Sequence, residues 1–291
     1  MNKAVVWIMA ARPKTLFAAF APVIVGASLA VAENNFDAVS SVVALLCSIL
    51  IQVATNYTND LYDHLKGADT KERVGPKRAL NEGWVTAQQM KMAIYLTFGI
   101  AFLMGLYLVY VGGPFILLIG ILSIIAGFMY TGGPFPLAYN GLGDLFVFLF
   151  FGFVGTIGTY FINTGQVTSQ ALLASIPVGA LVTNILVVNN YRDFDQDRKA
   201  GKRTLAVMFG KNFALGEYLI LLGSSFAVPL IMFVYYDLNA WVFLPYLTLP
   251  FAYKLIVMLL NRHGSELNPA LELTAKLSAL YGVLFSVGLV L

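Results

Sequence analysis

Two acid-rich segments, each closing a long apolar run, hold most of the side chains in this 291-residue chain that could do chemistry. The first reads Asn56-Tyr-Thr-Asn59-Asp60-Leu-Tyr-Asp63, then Lys66-Gly67-Ala-Asp69-Thr70. The second reads Asn189-Asn190-Tyr-Arg192-Asp193-Phe-Asp195-Gln-Asp197, then Gly201-Lys202-Arg203-Thr204. Eight of the 15 acidic residues fall between 60 and 82 or between 193 and 197. Carboxylates this close repel one another unless a cation lies among them. Paired acids beside Lys and Arg suit a divalent metal bound to a phosphate or diphosphate. Mg²⁺ takes a few carboxylates and fills its octahedron with water and phosphate oxygens, and Mn²⁺ would accept the same donors.

Residues four apart share a helix face, so Asn189, Asp193 and Asp197 form one stripe. In the first segment two registers compete: Asn56 with Asp60, and Asn59 with Asp63. Asp69 lies past Gly67, where the helix is expected to end. The candidate metal ligands are therefore Asn59, Asp60, Asp63, Asp69, Asp193 and Asp197. The amides of Asn189 and Asn190 could orient carboxylates or meet phosphate. The plainer reading is a solvated loop edge where acids and bases pair. Two look-alike segments on one face of a membrane protein argue against it, because charge at membrane depth is costly.

Arg73, Lys77, Arg78, Arg192, Lys202 and Arg203 are candidate phosphate clamps, Arg through its planar fork. Ordinary loop charge is the alternative. Arg12 and Lys14, in Arg-Pro-Lys-Thr-Leu, could reach the same cleft or simply anchor at the interface. Asp144 follows Gly141-Leu-Gly143. It is either a helix N-cap or a buried carboxylate that handles an acceptor hydroxyl. Tyr130 and Tyr139 flank a Gly- and Pro-rich loop. They are interface aromatics or the walls of a pocket for an aromatic acceptor or a cation.

The elements that must position these residues are membrane helices. The chain is 59% hydrophobic and 11% charged with mean hydropathy +0.78, far from the roughly 25% charged of soluble domains. Nine spans are expected, at 15–33, 39–59, 90–111, 114–131, 143–163, 169–190, 213–235, 240–260 and 272–290. They form a single all-α integral-membrane domain over 1–291. Residues 1–11 lack the apolar run and cleavage site of a signal peptide. The lone Cys47 leaves no partner for a disulfide within the chain. All 18 Lys and Arg lie at one set of connections, and 33–38, 112–113, 164–168 and 236–239 carry none. The positive-inside rule then puts the N-terminus and both acidic loops in the cytoplasm and the C-terminus outside. The acidic segments close the second and sixth spans, which suggests a parallel repeat of about four helices. The longest loop, 61–89, is expected to hold short interfacial helices, with a helix start at Thr86-Ala-Gln-Gln.

At these residues the chain resembles the UbiA superfamily of intramembrane prenyltransferases, most of all the branch that prenylates 1,4-dihydroxy-2-naphthoate. The motifs that carry the likeness are Asn59-Asp60-Leu-Tyr-Asp63, Gly67-Ala-Asp69, Arg73-Val-Gly75-Pro76-Lys-Arg78, Asn189 to Asp197 and Gly201-Lys202-Arg203-Thr204-Leu205. Arg-Pro-Lys-Thr-Leu and Tyr139 to Asp144 match as well. The likeness spans about 10–290 and favours Asn59, Asp63 and Asp69 over Asn56. Many relatives outside the branch have an Asp where this chain has Gly67; Asp69 is expected to take that place.

The resemblance implies about nine helices around a cleft, with Mg²⁺ and the carboxylates of Asp63, Asp69, Asp193 and Asp197 at the diphosphate of a polyprenyl diphosphate. The basic residues would steady the leaving group, and the naphthoate ring would take the prenyl chain with loss of CO₂, giving demethylmenaquinone. The partners implied are the donor, the aromatic acceptor and the bilayer; nucleic acid is not expected. Two alternatives stand: another aromatic acceptor, such as 4-hydroxybenzoate or a chlorophyll precursor, or a cation-coupled transporter.

Overall fold

A computed structural model describes every residue except Met1, 69–74 and 76, and leaves the side chain of Lys14 undescribed. Among the described residues the chain is helices joined by turns. In chain order they are α1 (Lys3–Ala11), α2 (Pro13–Ala32), α3 (Ala38–Leu65), α4 (Ala87–Gly112), α5 (Pro114–Met129) and α6 (Gly143–Thr164). They continue with α7 (Ser169–Arg192), α8 (Phe194–Lys199), α9 (Leu205–Phe209), α10 (Lys211–Tyr236), α11 (Ala240–Asn261) and α12 (Asn268–Val290). Eight are long and apolar enough to cross a membrane. The fourth expected span, α5, has 16 residues. It rises about 24 Å, less than the others, and still lines the central cavity from Ile116 at the far end to Gly127 and Tyr130 at the acidic end, so it carries the chain back across.

Local chemistry starts and stops these helices. Asp37 caps α3 by accepting from Ser40 N–H at 2.9 Å. Thr86 and Gln89 form a reciprocal capping box, at 3.2 and 2.9 Å, where the sequence suggested the start of α4. Such caps contribute about 1 kcal/mol each. The described residues 77–86 form turns, so the expected interfacial helices are not found there. The backbone of that stretch is drawn instead onto side chains of α3.

The bundle is organised around α7. Of its apolar window 78% is buried, against 22% for α4, so α7 is the inner helix and α4 faces lipid. Helices α2, α6, α10 and α12 pack around α7, over a core that includes Val25, Leu181, Tyr218, Tyr281 and Phe285. Glycines bring α6 unusually close. A Cβ on Gly152 would stand 3.0 Å from Gly179 Cα of α7, and one on Gly26 of α2 would collide with the Thr156 carbonyl. The middle of α6, Phe148–Ile157, is wound as a π-helix, a feature often found beside functional sites. Helix α3 lies on α4, and α7 lies on α10. At the end away from the acidic motifs, Tyr160 donates to both carboxylate oxygens of Glu33 (2.7 and 2.8 Å) and Asn163 accepts from Asp37 N–H (2.6 Å). These bonds tie the α2–α3 turn to α6.

Candidate active site

Helix α3 runs six residues past the expected boundary at 59, so the whole Asn59 to Asp63 motif is helical. Its end is set by Gly67, at φ +67°. Gly67 N–H reaches the His64 carbonyl (3.0 Å) and Ala68 N–H reaches the Asp63 carbonyl (2.9 Å), a Schellman cap. The second motif ends in the same way. Helix α7 gives way to α8 at Asp193, but the i→i−4 bonds continue through Asp193 N–H to Asn189 (2.9 Å) and Asp197 N–H to Asp193 (2.8 Å). Gly201, at φ +71°, then closes a Schellman cap in which Lys202 N–H reaches the Asp197 carbonyl (2.9 Å) and Gly201 N–H that of Arg198 (3.3 Å). Asp63 and Asp197 thus hold matching places four residues before their glycines. Both carboxylates sit at helix C-termini, where the macrodipole is negative, so each needs positive charge close by.

That charge is present. Asp63 is buried at 2% exposure. Its Oδ2 receives Arg78 at 2.8 Å and Lys202 Nζ at 3.2 Å, and its Oδ1 receives the Tyr139 hydroxyl at 2.7 Å. Lys202 Nζ also lies 3.8 Å from Asp197 Oδ1, so one ammonium bridges the two motifs. Tyr139 is held between cations, with Lys66 Nζ 4.1 Å and Lys202 Nζ 5.0 Å from its ring centre. Partial burial holds Lys66 below the usual lysine range; Asp63 opposes that shift and Lys202 adds to it. Asn59 accepts from the Thr131 hydroxyl (2.8 Å), and Lys66 donates to the Thr131 carbonyl (2.9 Å).

Both motifs face one cavity of about 390 Å³. Asn59, Asp63, Arg78, Tyr130, Asn189, Asn190, Asp193, Asp197 and Lys202 all line it. The structure adds Thr131, Thr204 and Gln196 to the lining. Gln196 lies one residue before Asp197 on α8, but nothing in its type separated it from loop polarity. Arg12 and Asn56 line it too. Asn56, from the disfavoured register, donates to the Ala11 carbonyl (2.9 Å) and to Thr15 (3.2 Å), fixing the α1–α2 junction.

Several expected site residues lie elsewhere. Asp60 is buried outside the cavity lining, and its Oδ2 accepts from Ala79 N–H at 3.0 Å; it pins the loop after α3. Arg192 does not line the cavity either. Its fork grips both oxygens of Asp193 (2.7 and 2.8 Å) and reaches Asn189 (2.8 Å) and Asn268 of α12 (3.0 Å). Lys77 pairs with Glu82 at 3.1 Å on the exposed surface. Arg203 is exposed, and its backbone N–H meets the Tyr139 carbonyl (3.1 Å). Asp144 is buried off the cavity, and its Oδ1 has no hydrogen-bond partner among the described residues. It is not the N-cap of α6, whose cap position is Leu142. Asp69 and Arg73 fall outside the described residues, as does the Lys14 side chain.

No three acidic or histidine side chains among the described residues converge to hold a cation by themselves. Mg²⁺ is usually bound through one or two carboxylates together with substrate phosphates rather than by an all-protein cage. Buried Asp63, Asp193 and Asp197 with the Asn59 and Asn189 amides fit a cation that arrives with a diphosphate.

The fold and sequence have known counterparts. Residues 19–280 match the UbiA prenyltransferase family. The chain is 37% identical to the 1,4-dihydroxy-2-naphthoate octaprenyltransferase of Haemophilus influenzae, over 100% of this chain and 97% of that protein. It is 33% identical to the enzyme of the same name from Bacillus subtilis, over 96% and 90%. Among solved structures, a UbiA homolog from Aeropyrum pernix K1 superposes with TM-score 0.72 at 19% identity, covering 94% of this chain and 97% of that one. A UbiA homolog from Archaeoglobus fulgidus bound to DMAPP and Mg²⁺ gives 0.70 at 17%, covering 98% and 99%. With its apolar helices, paired acidic motifs and full-length matches, the chain is a multi-pass membrane protein of the UbiA prenyltransferase family.

Proposed function

We propose that this protein transfers a polyprenyl group from polyprenyl diphosphate to 1,4-dihydroxy-2-naphthoate, releasing diphosphate and CO₂. The observation that carries the transfer chemistry is one cavity that is acidic and basic at one end and apolar beyond. The acceptor is supported by full-length similarity to naphthoate octaprenyltransferases.

Asp63, Asp193 and Asp197, with Asn59 and Asn189, would hold Mg²⁺, and Mn²⁺ satisfies the same donors. Asp69 is proposed as a further ligand. The ion, when bound, supplies charge that stabilises the leaving diphosphate. Lys202 and Arg78 hold diphosphate oxygens, and the Tyr139 hydroxyl keeps Asp63 in place. The bond between the allylic carbon and the diphosphate oxygen breaks, and its electron pair leaves with diphosphate. Apolar walls would keep water from the allylic cation, and Tyr130, which lines the cavity, would face it with its ring. The naphthoate carbon bearing the carboxylate forms the new C–C bond. The carboxylate then leaves as CO₂, and its bonding pair restores the aromatic ring. The product is demethylmenaquinone in its quinol form.

The reading places the chain as one catalytic domain over 1–291. Its N-terminus and acidic ends face the cytoplasm, and its C-terminus lies outside, as the positive charge at one set of connections supports. Acceptor competition tests the assignment. With equal 1,4-dihydroxy-2-naphthoate and 4-hydroxybenzoate, the prenylated naphthoquinol should dominate; prenylated hydroxybenzoate as the main product would refute it.

A further inference from the structure

Asp144 is a buried carboxylate that the steps above leave unused. It is 4% exposed, and its Oδ1 meets no hydrogen-bond partner among the described residues. A charge held so far from water is screened little. Burying it costs stability. Its place in the first turn of α6 lessens that cost, because the positive end of the macrodipole favours an anion there.

The carboxylate lies just behind the cavity wall. Asp144 stands one turn before Val147 and two before Phe151 on α6, and both of those line the cavity. On the preceding residue, a Cβ at Gly143 would meet the Tyr130 hydroxyl and Leu186 Cδ2, each at 3.5 Å. Tyr130 and Leu186 line the cavity too. Ala138 N–H reaches the Tyr130 carbonyl at 2.9 Å, which folds the loop before α6 onto the same wall. Among the charges that reach Tyr130, Asp144 acts most strongly, ahead of Asp63, Asp197 and Arg12. Glu217 of α10 also feels Asp144. Glu217 is an acid as well, so it does not neutralise Asp144.

We propose that Asp144, ionised behind Tyr130, stabilises the allylic cation that forms as diphosphate leaves. It touches neither substrate; its negative potential acts across the wall, where the Tyr130 ring would face the cation. The inference rests on the prenyl-transfer reading above. Asp63, Asp193 and Asp197 have the metal and the bases to balance them, whereas Asp144 is matched to positive charge that exists only once the donor ionises. An interaction of that kind raises kcat without tightening donor binding. Two unit charges about 8 Å apart, at an effective dielectric of about 20, change a rate by about tenfold or more.

The test compares two ligands by calorimetry in detergent. One is a prenyl chain whose reacting carbon is replaced by a protonated amine, bound with Mg²⁺ and inorganic diphosphate. The other is the thiolodiphosphate of the same chain, an unreactive donor without that positive charge. Asp144→Asn keeps the shape and removes the charge. It should weaken the amine about tenfold or more and leave the thiolodiphosphate unchanged, and kcat should fall by a like factor at unchanged donor KM. Melting separates misfolding from lost charge, and Asp144→Leu, which suits an apolar surrounding, replaces Asp144→Asn if that variant does not fold. Equal changes for both ligands, or no change for the amine, in a folded variant would overturn the role of Asp144 while leaving prenyl transfer intact. No product from the unmodified protein with any donor would instead defeat the transfer reading.

Discussion

Lys202 Nζ lies 3.2 Å from Asp63 Oδ2, across 139 positions of sequence. The same ammonium is 3.8 Å from Asp197. In this state the two acidic motifs are held together by the chain's own cation. A ligand bringing both a metal and phosphate oxygens would offer Asp63 a new cation and Lys202 a new anion. Lys202→Met should therefore raise KM for the prenyl diphosphate by about tenfold to a hundredfold, the scale of a charge-assisted phosphate contact. Steady-state kinetics against donor concentration checks this; an unchanged KM refutes it.

Asp63→Asn keeps shape and removes charge. Turnover should fall about a thousandfold or more, a loss of about 4 kcal/mol of transition-state stabilisation. The melting temperature should also drop, because Arg78 and Lys202 lose their shared anion. Rate and melting measured on one preparation decide it, and retention of a tenth of the activity would remove Asp63 from the proposed site.

Arg192 separates positioning from binding. It grips Asp193 through two bonds and does not line the cavity. Arg192→Lys keeps the charge but not the fork. It should lower kcat about tenfold with little change in donor KM, the opposite split to Lys202→Met. A selective rise in donor KM would show that Arg192 meets the diphosphate after all.

Asp60 should behave as scaffold. Asp60→Ala removes the acceptor for Ala79 N–H and should destabilise the protein by about 1–3 kcal/mol. Half-saturating Mg²⁺ for the reaction should stay as it was. A large shift in that Mg²⁺ dependence in a folded variant would return Asp60 to the metal ligands.

Orientation can be read by labelling. Cys47 is buried and gives little background. Lys77→Cys and Gln166→Cys place thiols at exposed positions in connections of opposite charge character. A membrane-impermeant maleimide should label position 166 from outside the cell, and position 77 only in inverted vesicles. The reverse pattern would invert the proposed topology.

Helix placement was largely legible, because runs of apolar residues broken by Gly, Pro and charge have few other solutions in a bilayer. The stripe Asn189, Asp193 and Asp197 was legible for the same reason: spacing of four means one face. Neighbouring acids were harder. Asp60 and Asp63 differ in role because the stretch around Ala79 folds back onto one face of α3, and that contact has no local signature. Arg192 was read as a phosphate clamp from its type, yet its neighbour Asp193 and the distant Asn268 claim its donors. The shared Schellman ends were hidden behind an apparent departure. Gly67, where the family resemblance led one to expect an acid, is the left-handed residue that ends α3. The cavity draws its lining from several helices, so periodicity within any one of them could not reveal it.

The most direct measurement is the mass of the product formed by the purified protein in nanodiscs from 1,4-dihydroxy-2-naphthoate and a polyprenyl diphosphate, with Mg²⁺ or with EDTA. The account predicts a prenylated naphthoquinol lacking the carboxyl group, formed with Mg²⁺ and absent with EDTA. A product that keeps its carboxyl group, the same yield in EDTA, or no prenylated product with any aromatic acceptor would contradict it.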